Sequence, residues 1–533
     1  MPRHEGLHMR KIPKTMSTQH PDNARMPEWV NGEIIAWEDE VYETYYVFSR
    51  LGAQEQMWDW EGKDVDPHVV RKLLELFPEF FHDHVLGTDV FLTYRVPNPS
   101  VEEAEKKGLV EALESIPFSY DAAVRFYGSR APPPVFEVIL PLTKSYMEPL
   151  MVLAYYRKLV AGRGRVKLIE ESGITVADWI GEFRPATIEV IPLVEDMESL
   201  LSIDSIVMGF VKAVKPPYVR AFVARSDPAL NYGLPAAVIL AKAAKAKLDK
   251  VSEELGVPVY AIIGSGPPPF RGHLTPRNVD RFLEEYGSYW TATIQSAFKY
   301  DYGEGEVRAA IERLNAELGT GSNAEAEEGI SEEGLVKRLL AKLSATYRSR
   351  VEKLHLLIGE FSELVPRRRA RRLHVGLFGY SRSTGRVRLP RAIRFTAALY
   401  SLGIPPEVLG VEALAELSDG EWELFERLYV NWRADLEAAA RRVCWDNVNL
   451  LLGDERVYRD VVLRLGAKHG VAEVVRDLEV LESEFGIRTG PRNLSDRRYD
   501  NEVNNVLLSY AEGNISEARR SLENAARMRQ FLG

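Results

Sequence analysis

His20 lies in the run Met16-Ser-Thr-Gln-His-Pro-Asp-Asn23. The proline after it excludes a helical continuation, so the ring is presented from a turn at the end of a short first strand. An imidazole held in that way can move protons; equally, it can be hydrogen-bonded within the turn and do no chemistry. A pair of carboxylates repeats the pattern. The apolar run Ile188-Glu-Val-Ile-Pro-Leu-Val ends at Glu195, and the run Tyr218 to Ala224 leads into Arg225-Ser-Asp-Pro228, which presents Asp227. On neighbouring parallel strands about 4.8 Å apart, two such acids can share one divalent ion, and an oxygen-only pair suits Mg²⁺ or Mn²⁺. Two helix N-caps, or an ion pair with Arg225, fit the same spacing.

Cationic groups sit where anions could be held. Val257-Pro-Val-Tyr-Ala-Ile-Ile-Gly-Ser-Gly-Pro-Pro-Pro-Phe-Arg-Gly272 reads as a strand followed by a loop in which glycines let backbone amides approach an oxyanion, prolines stiffen the turn and Arg271 supplies charge. As a bare Gly/Pro segment it is also only a tight turn. The arginines from Arg382 to Arg394, Arg391 among them, fit a solvated rim or the forked recognition of phosphate and carboxylate.

These groups need a scaffold that brings distant strand ends together. Eight short β-rich runs end in polar residues: Thr15 to His20, Val90 to Val96, Val135 to Leu142, Thr187 to Val194, Tyr218 to Ala224, Val257 to Gly264, Tyr289 to Phe298 and Leu373 to Tyr380. Separated by helical segments, they predict an α/β fold, a (β/α)₈ TIM-type barrel with many additional helices, whose chemistry gathers at the C-terminal strand ends. Arg95, Lys144 and Lys299 fall on such ends beside the residues above. Residues 1–410 are assigned to the barrel with helical insertions and 411–533 to a helical C-terminal region packed on it. Leu318 to Gly334, rich in Gly, Asn, Ala and Glu, reads as a surface loop or a lid. Leu335 to Leu364 has helical periodicity, and Leu424, Leu428 and Trp432 mark a core stripe.

Composition narrows the partners. A net charge of −10 on 533 residues argues against nucleic-acid binding. The basic block Arg367 to Arg372 then reads as a solvated flank or an oligomer contact. Cys444 is the only cysteine, which fits a reducing cytoplasm and rules out a thiolate cluster. No apolar leader or membrane-length run is present, so no membrane partner is expected.

The run Met16 to Asn23 resembles the signature of archaeal-type phosphoenolpyruvate carboxylases, with His20 at the catalytic histidine position. Pro192-Leu-Val-Glu195 and Ser226-Asp227 are similar to that family's metal-ligand segments, although Pro228 and Leu230 stand where the bacterial and plant enzymes have Ser and Lys. The loop to Gly272 resembles their glycine-rich loop, with Arg271 on the second arginine and Ser265 in place of the first. Gly379 to Arg394, continuing through Leu402-Gly-Ile-Pro-Pro-Glu-Val-Leu-Gly410, resembles a further segment and puts Arg382 and Arg391 on its two functional arginines.

The resemblance implies a cytoplasmic homotetramer that carboxylates phosphoenolpyruvate with bicarbonate, giving oxaloacetate and phosphate through carboxyphosphate and enolpyruvate, and so replenishes four-carbon acids. It implies His20, Arg271 and Arg382 as catalytic groups, Arg391 as a substrate contact, and Glu195 and Asp227 as ligands of Mg²⁺ or Mn²⁺. Arg95, Lys144 and Lys299 are candidates for the phosphate contacts that Ser265 and Leu230 cannot make. The alternatives are another metal-dependent barrel lyase or aldolase working through a pyruvate enolate, and a non-enzymatic scaffold on a degenerate barrel.

Overall fold

The computed structural model describes residues 10–533, apart from 62, 64, 103–105, 323–327, 329–331, 371–381, 385, 386 and 454–467, and only the backbone of 382–384. Eight parallel strands close into a barrel in chain order: β1 (Thr15–Ser17), β2 (Glu55–Asp59), β3 (Phe91–Arg95), β4 (Glu137–Leu140), β5 (Glu189–Val194), β6 (Val219–Ala224), β7 (Val259–Gly264) and β8 (Thr291–Ile294). Closure is made by β8 against β1, where Met16 pairs with Thr293.

Side chains fill the interior in layers. The floor belongs to the even strands: Arg220 of β6 donates to Glu55 of β2 at 2.8 Å through each terminal nitrogen, to Glu137 of β4 at 2.7 Å, and to Thr291 of β8 at 3.3 Å. Desolvating these charges is costly, and the forked contacts offset that cost because the guanidinium meets a carboxylate on two sides. Two residues further along the same strands, Met57, Ile139 and Phe222 join Met16, Ile191, Leu193, Ala224 and Ile262 in an apolar plug. Polar groups beyond the plug therefore face only the C-terminal mouth.

The expected strands need two corrections. β2 was not among them, because its inward positions are Glu55, Met57 and Asp59 while Trp58 faces the helices, so no apolar alternation marks it. The run Tyr289 to Phe298 is the eighth strand rather than the seventh, and it gives way to a helix at Ser296–Tyr300. The proposed strand Leu373 to Tyr380 lies outside the described residues, and the barrel closes without it.

The basic block is also corrected. Arg368 and Arg369 are buried: Arg368 donates to the carbonyls of Asn23 and Ala24, and Arg369 forks onto Glu43 at 2.6 and 2.7 Å. Only Arg367 of the described part is exposed.

The loop that begins at Leu318 does not start at the mouth. Lys14 donates to the Leu318 carbonyl at 2.5 Å, and the amides of Gly319 and Gly321 donate to Gly287. Lys14 precedes β1 and Gly287 precedes β8, so this anchorage is at the opposite, N-terminal face, and the lid expectation is overturned for the described part.

Outside the barrel the longest helix, Glu333–Ser362, buries Val336, Leu339, Leu343, Tyr347, Val351, Leu354, Ile358 and Phe361 at three- and four-residue spacing. Leu424, Leu428 and Trp432 are likewise buried. Among the described residues no helix is long and apolar enough to cross a membrane.

Candidate active site

The turn carrying His20 is pinned from four directions by backbone and side-chain contacts. The Thr18 amide continues the ladder to the Ile294 carbonyl at 3.0 Å. Lys299 spends three contacts here, on Ser17 Oγ (2.9 Å), the Thr18 carbonyl (3.0 Å) and Glu43 Oε1 (2.7 Å). From β2, the Asp59 amide donates to Gln19 Oε1 at 3.1 Å, and Lys63 Nζ donates to the Gln19 carbonyl at 2.6 Å. Beyond the histidine, Asp301 accepts the amides of Ala24 and Arg25, and Asp22 accepts the amide of Ala297. His20 is thus fixed on a partly exposed rim, its Nδ1 2.7 Å from Thr18 Oγ1.

Charge around the ring is mainly positive. Burial, then Arg95 and Arg271, and to a lesser extent Lys63, hold the imidazole well below its usual value of 6.5, with Asp59 opposing them. The ring is therefore neutral at neutral pH, the state in which it can accept a proton.

Arg95, at the end of β3, forks onto Asp59 (2.9 and 2.7 Å) and reaches Glu61 at 3.1 Å. Arg391, which begins the helix Ala392–Ser401, lies 3.6 Å from the other oxygen of Glu61. Arg271 comes from the loop after β7, turned inward by a single 3₁₀ turn, Pro269–Arg271. Its Nε donates to Ser226 Oγ (3.1 Å), Nη1 to a backbone oxygen of Gly533 (2.5 Å) with Asp22 Oδ2 at 3.4 Å, and Nη2 to Gln295 Oε1 (2.5 Å).

That loop closes on itself. The Gly266 amide donates to the Arg271 carbonyl, and Gly272 adopts φ +116°, where a Cβ would press on Ser265 at 3.2 Å. Ser265 is buried beneath it, its amide bonded to Thr293 Oγ1, so an arginine would not fit at this position. Buried Glu407 supports the loop from the C-terminal side, accepting the Phe270 amide and the Tyr400 hydroxyl, each at 2.9 Å. Burial raises its carboxyl to about 7.

β5 and β6 present the two acids. Val194 pairs with Val223, so Glu195 leaves β5 level with the end of β6, and Asp227 stands at the start of the helix Ser226–Tyr232. Glu195 Oε2 accepts the Leu142 amide at 2.9 Å. Neighbouring Asp196 instead caps a helix through Ser199. Arg225 turns away from both acids, its Nε on Tyr286 and Nη1 on the Phe270 carbonyl. The alternative of an Arg225 ion pair is therefore not what the chain forms. Among the described residues no cluster of three or more His, Cys, Asp or Glu could hold a metal. Two hard oxygen donors at adjacent strand ends nevertheless match the chemistry of an ion that keeps water and substrate at its remaining positions.

Placed on this frame, His20, Arg95 and Arg271 converge, with Glu195 acting on Arg95 and Asp227 on Arg271 through their charges. Arg391 joins them by way of Glu61. Lys144 is exposed on the rim, 4.0 Å from Asp196. Lys299 is the correction: its three N–H donors are taken by Glu43, Ser17 Oγ and the Thr18 carbonyl, so this buried side chain braces the turn after β1 and keeps no donor for a substrate. The Arg382 side chain lies outside the described residues. Sequence reasoning missed Asp59, Glu61 and Lys63, all on the unrecognised second strand and its continuation; the signal available was charge recurring at every second residue from Asp59 to Lys63.

A family model described as phosphoenolpyruvate carboxylase matches residues 12–533. A phosphoenolpyruvate carboxylase of Metallosphaera sedula is 45% identical over 525 residues, covering 98% of this chain and 100% of the relative. One of Caldivirga maquilingensis is 45% identical over 529 residues with the same coverage, and one of Picrophilus torridus 40% identical over 528, covering 98% of this chain and 99% of the relative.

Proposed function

This chain belongs to the phosphoenolpyruvate carboxylase family, and from that premise we propose that its barrel mouth joins phosphoenolpyruvate and bicarbonate to give oxaloacetate and phosphate. The observation that carries the reading is the gathering at one barrel mouth of His20, pinned at its turn, with Arg95 and Arg271, on the rim that also bears Glu195 and Asp227. Glu195 and Asp227 are the proposed holders of Mg²⁺ or Mn²⁺, which when bound would supply Lewis-acid stabilisation of enolate charge.

Arg271, Arg95 and Arg391 then bind the phosphoryl and carboxylate oxygens, with Arg382 and Lys144 as further contacts. Bicarbonate oxygen attacks phosphorus, the bond to the enol oxygen breaks, and carboxyphosphate and the enolate of pyruvate result. His20 takes the carboxyphosphate proton, so that CO₂ leaves phosphate and is captured by the enolate carbon. A ring among cations gains basicity when a substrate anion neutralises them, which times proton uptake to the loaded site.

A cytoplasmic role in replenishing four-carbon acids is proposed for the product. A homotetramer is proposed with it, and exposed Met147, Met151, Leu159, Ile169, Trp179 and Ile180 give the β4–β5 insertion an apolar surface for subunit contact. Coupling oxaloacetate to malate dehydrogenase, with phosphoenolpyruvate, Mg²⁺ and bicarbonate omitted in turn, tests the reaction. His20→Ala tests the proton step: it should yield pyruvate and phosphate, and with ¹⁸O-bicarbonate that phosphate should carry label. Normal oxaloacetate yield from this variant would remove His20 from the mechanism.

A further inference from the structure

We propose that Thr18 is a positioning residue for His20: its buried hydroxyl accepts Nδ1–H and so leaves Nε2 as the nitrogen that takes the proton. The inference rests on His20 being the base. It begins from the 2.7 Å approach of His20 Nδ1 to Thr18 Oγ1, the single hydrogen bond of the ring among the described residues.

Thr18 is unusually well placed to determine a ring orientation. It is fully buried; its amide is tied to Ile294 and its carbonyl to Lys299, so its backbone has no freedom. A β-branched side chain on a fixed backbone has few χ1 choices, which fixes Oγ1. The intervening peptide is locked as well, because Lys63 holds the Gln19 carbonyl and Gln19 Oε1 holds the Asp59 amide. With Pro21 next, His20 keeps little freedom beyond its own side-chain torsions, and Thr18 decides which edge of the ring turns inward.

A hydroxyl can donate or accept, so the surrounding charge decides the tautomer. Among the charges that act most strongly on the ring, the cations Arg95, Arg271 and Lys63 outnumber the acid Asp59. A proton on the outer nitrogen would point into a predominantly cationic setting, whereas a lone pair there is favoured. Nδ1 then carries the hydrogen and Thr18 accepts it. The same arrangement prepares Nε2 for the acidic proton of an anionic intermediate.

Thr18→Val keeps the volume and removes the hydroxyl; Thr18→Ser keeps the hydroxyl. Losing this hydrogen bond should lower the kcat for oxaloacetate about tenfold, raise the pyruvate share and leave the KM for phosphoenolpyruvate nearly unchanged, with Thr18→Ser recovering most of the loss. The direct readout is the ¹⁵N spectrum of full-length protein labelled at histidine, with His20 assigned by its absence in His20→Gln. The wild type should show Nδ1 protonated and Nε2 bare, and Thr18→Val a mixture. An Nε2–H tautomer in the wild type, or an unchanged spectrum and kcat in Thr18→Val, would overturn the role of Thr18. Normal oxaloacetate yield from His20→Gln would instead refute the base assignment beneath it, whatever the tautomer.

Discussion

Arg271→Lys is the most demanding test of the site, because it preserves charge while removing geometry. A guanidinium has five N–H donors in a fixed fork. Here Nε serves Ser226, Nη1 serves the Gly533 backbone oxygen and faces Asp22, and Nη2 serves Gln295, which leaves one Nη2 donor for an anionic substrate. An ammonium has three donors, fewer than the protein acceptors already present, and its shorter reach draws it toward Asp22. The substrate contact is then the one lost. Removing one donor to charge that develops in the transition state costs about 3–4 kcal/mol, or about 10²–10³ in kcat. The assay is initial-rate oxaloacetate formation over a phosphoenolpyruvate titration, with thermal melting to confirm the fold. Because Lys keeps a cation opposite Asp22, melting should move little compared with turnover. A kcat within about threefold of wild type, or a loss confined to KM, would refute the donor accounting.

Three further outcomes follow from the same geometry. His20 is held below 6.5, so the acid limb of kcat/KM, if it reports this ring, should lie below pH 6.5; a limb above 6.5 would contradict the cationic surroundings. Glu407 moves from 4.5 to about 7 in the folded state, so folding should lose about 3 kcal/mol as pH rises from 4.5 through 7, and Glu407→Gln should flatten that slope in pH-dependent denaturation; an equal slope would show that another group is responsible. Asp227→Asn should leave melting unchanged yet lower activity at limiting Mg²⁺ by about tenfold or more, with partial recovery at high Mg²⁺; near-normal turnover would remove Asp227 from the metal site.

Local geometry is legible in the chain. A proline after His20, an apolar run ending in Glu195 and a Gly/Pro loop ending in Arg271 each state their geometry within a few residues, and the strands that carry them stand where their residue types place them. β2 was invisible for an equally physical reason: in a barrel the inward face of a strand can be charged, and Glu55 and Asp59 are stable there because Arg220 and Arg95 arrive from other strands.

The same limit explains Arg368, Arg369 and Lys299. A cation reads as solvent-facing until its counter-ion is known, and Glu43 lies 326 residues from Arg369 and 256 from Lys299. Burial of a charge is a property of the pair, since desolvation is tolerable only where a partner and further hydrogen bonds stand ready. Which cations keep donors for the mouth and which brace it was therefore decided by barrel closure, which sets Arg95 and Arg271 around His20 and spends Lys299 on Glu43 and the turn after β1.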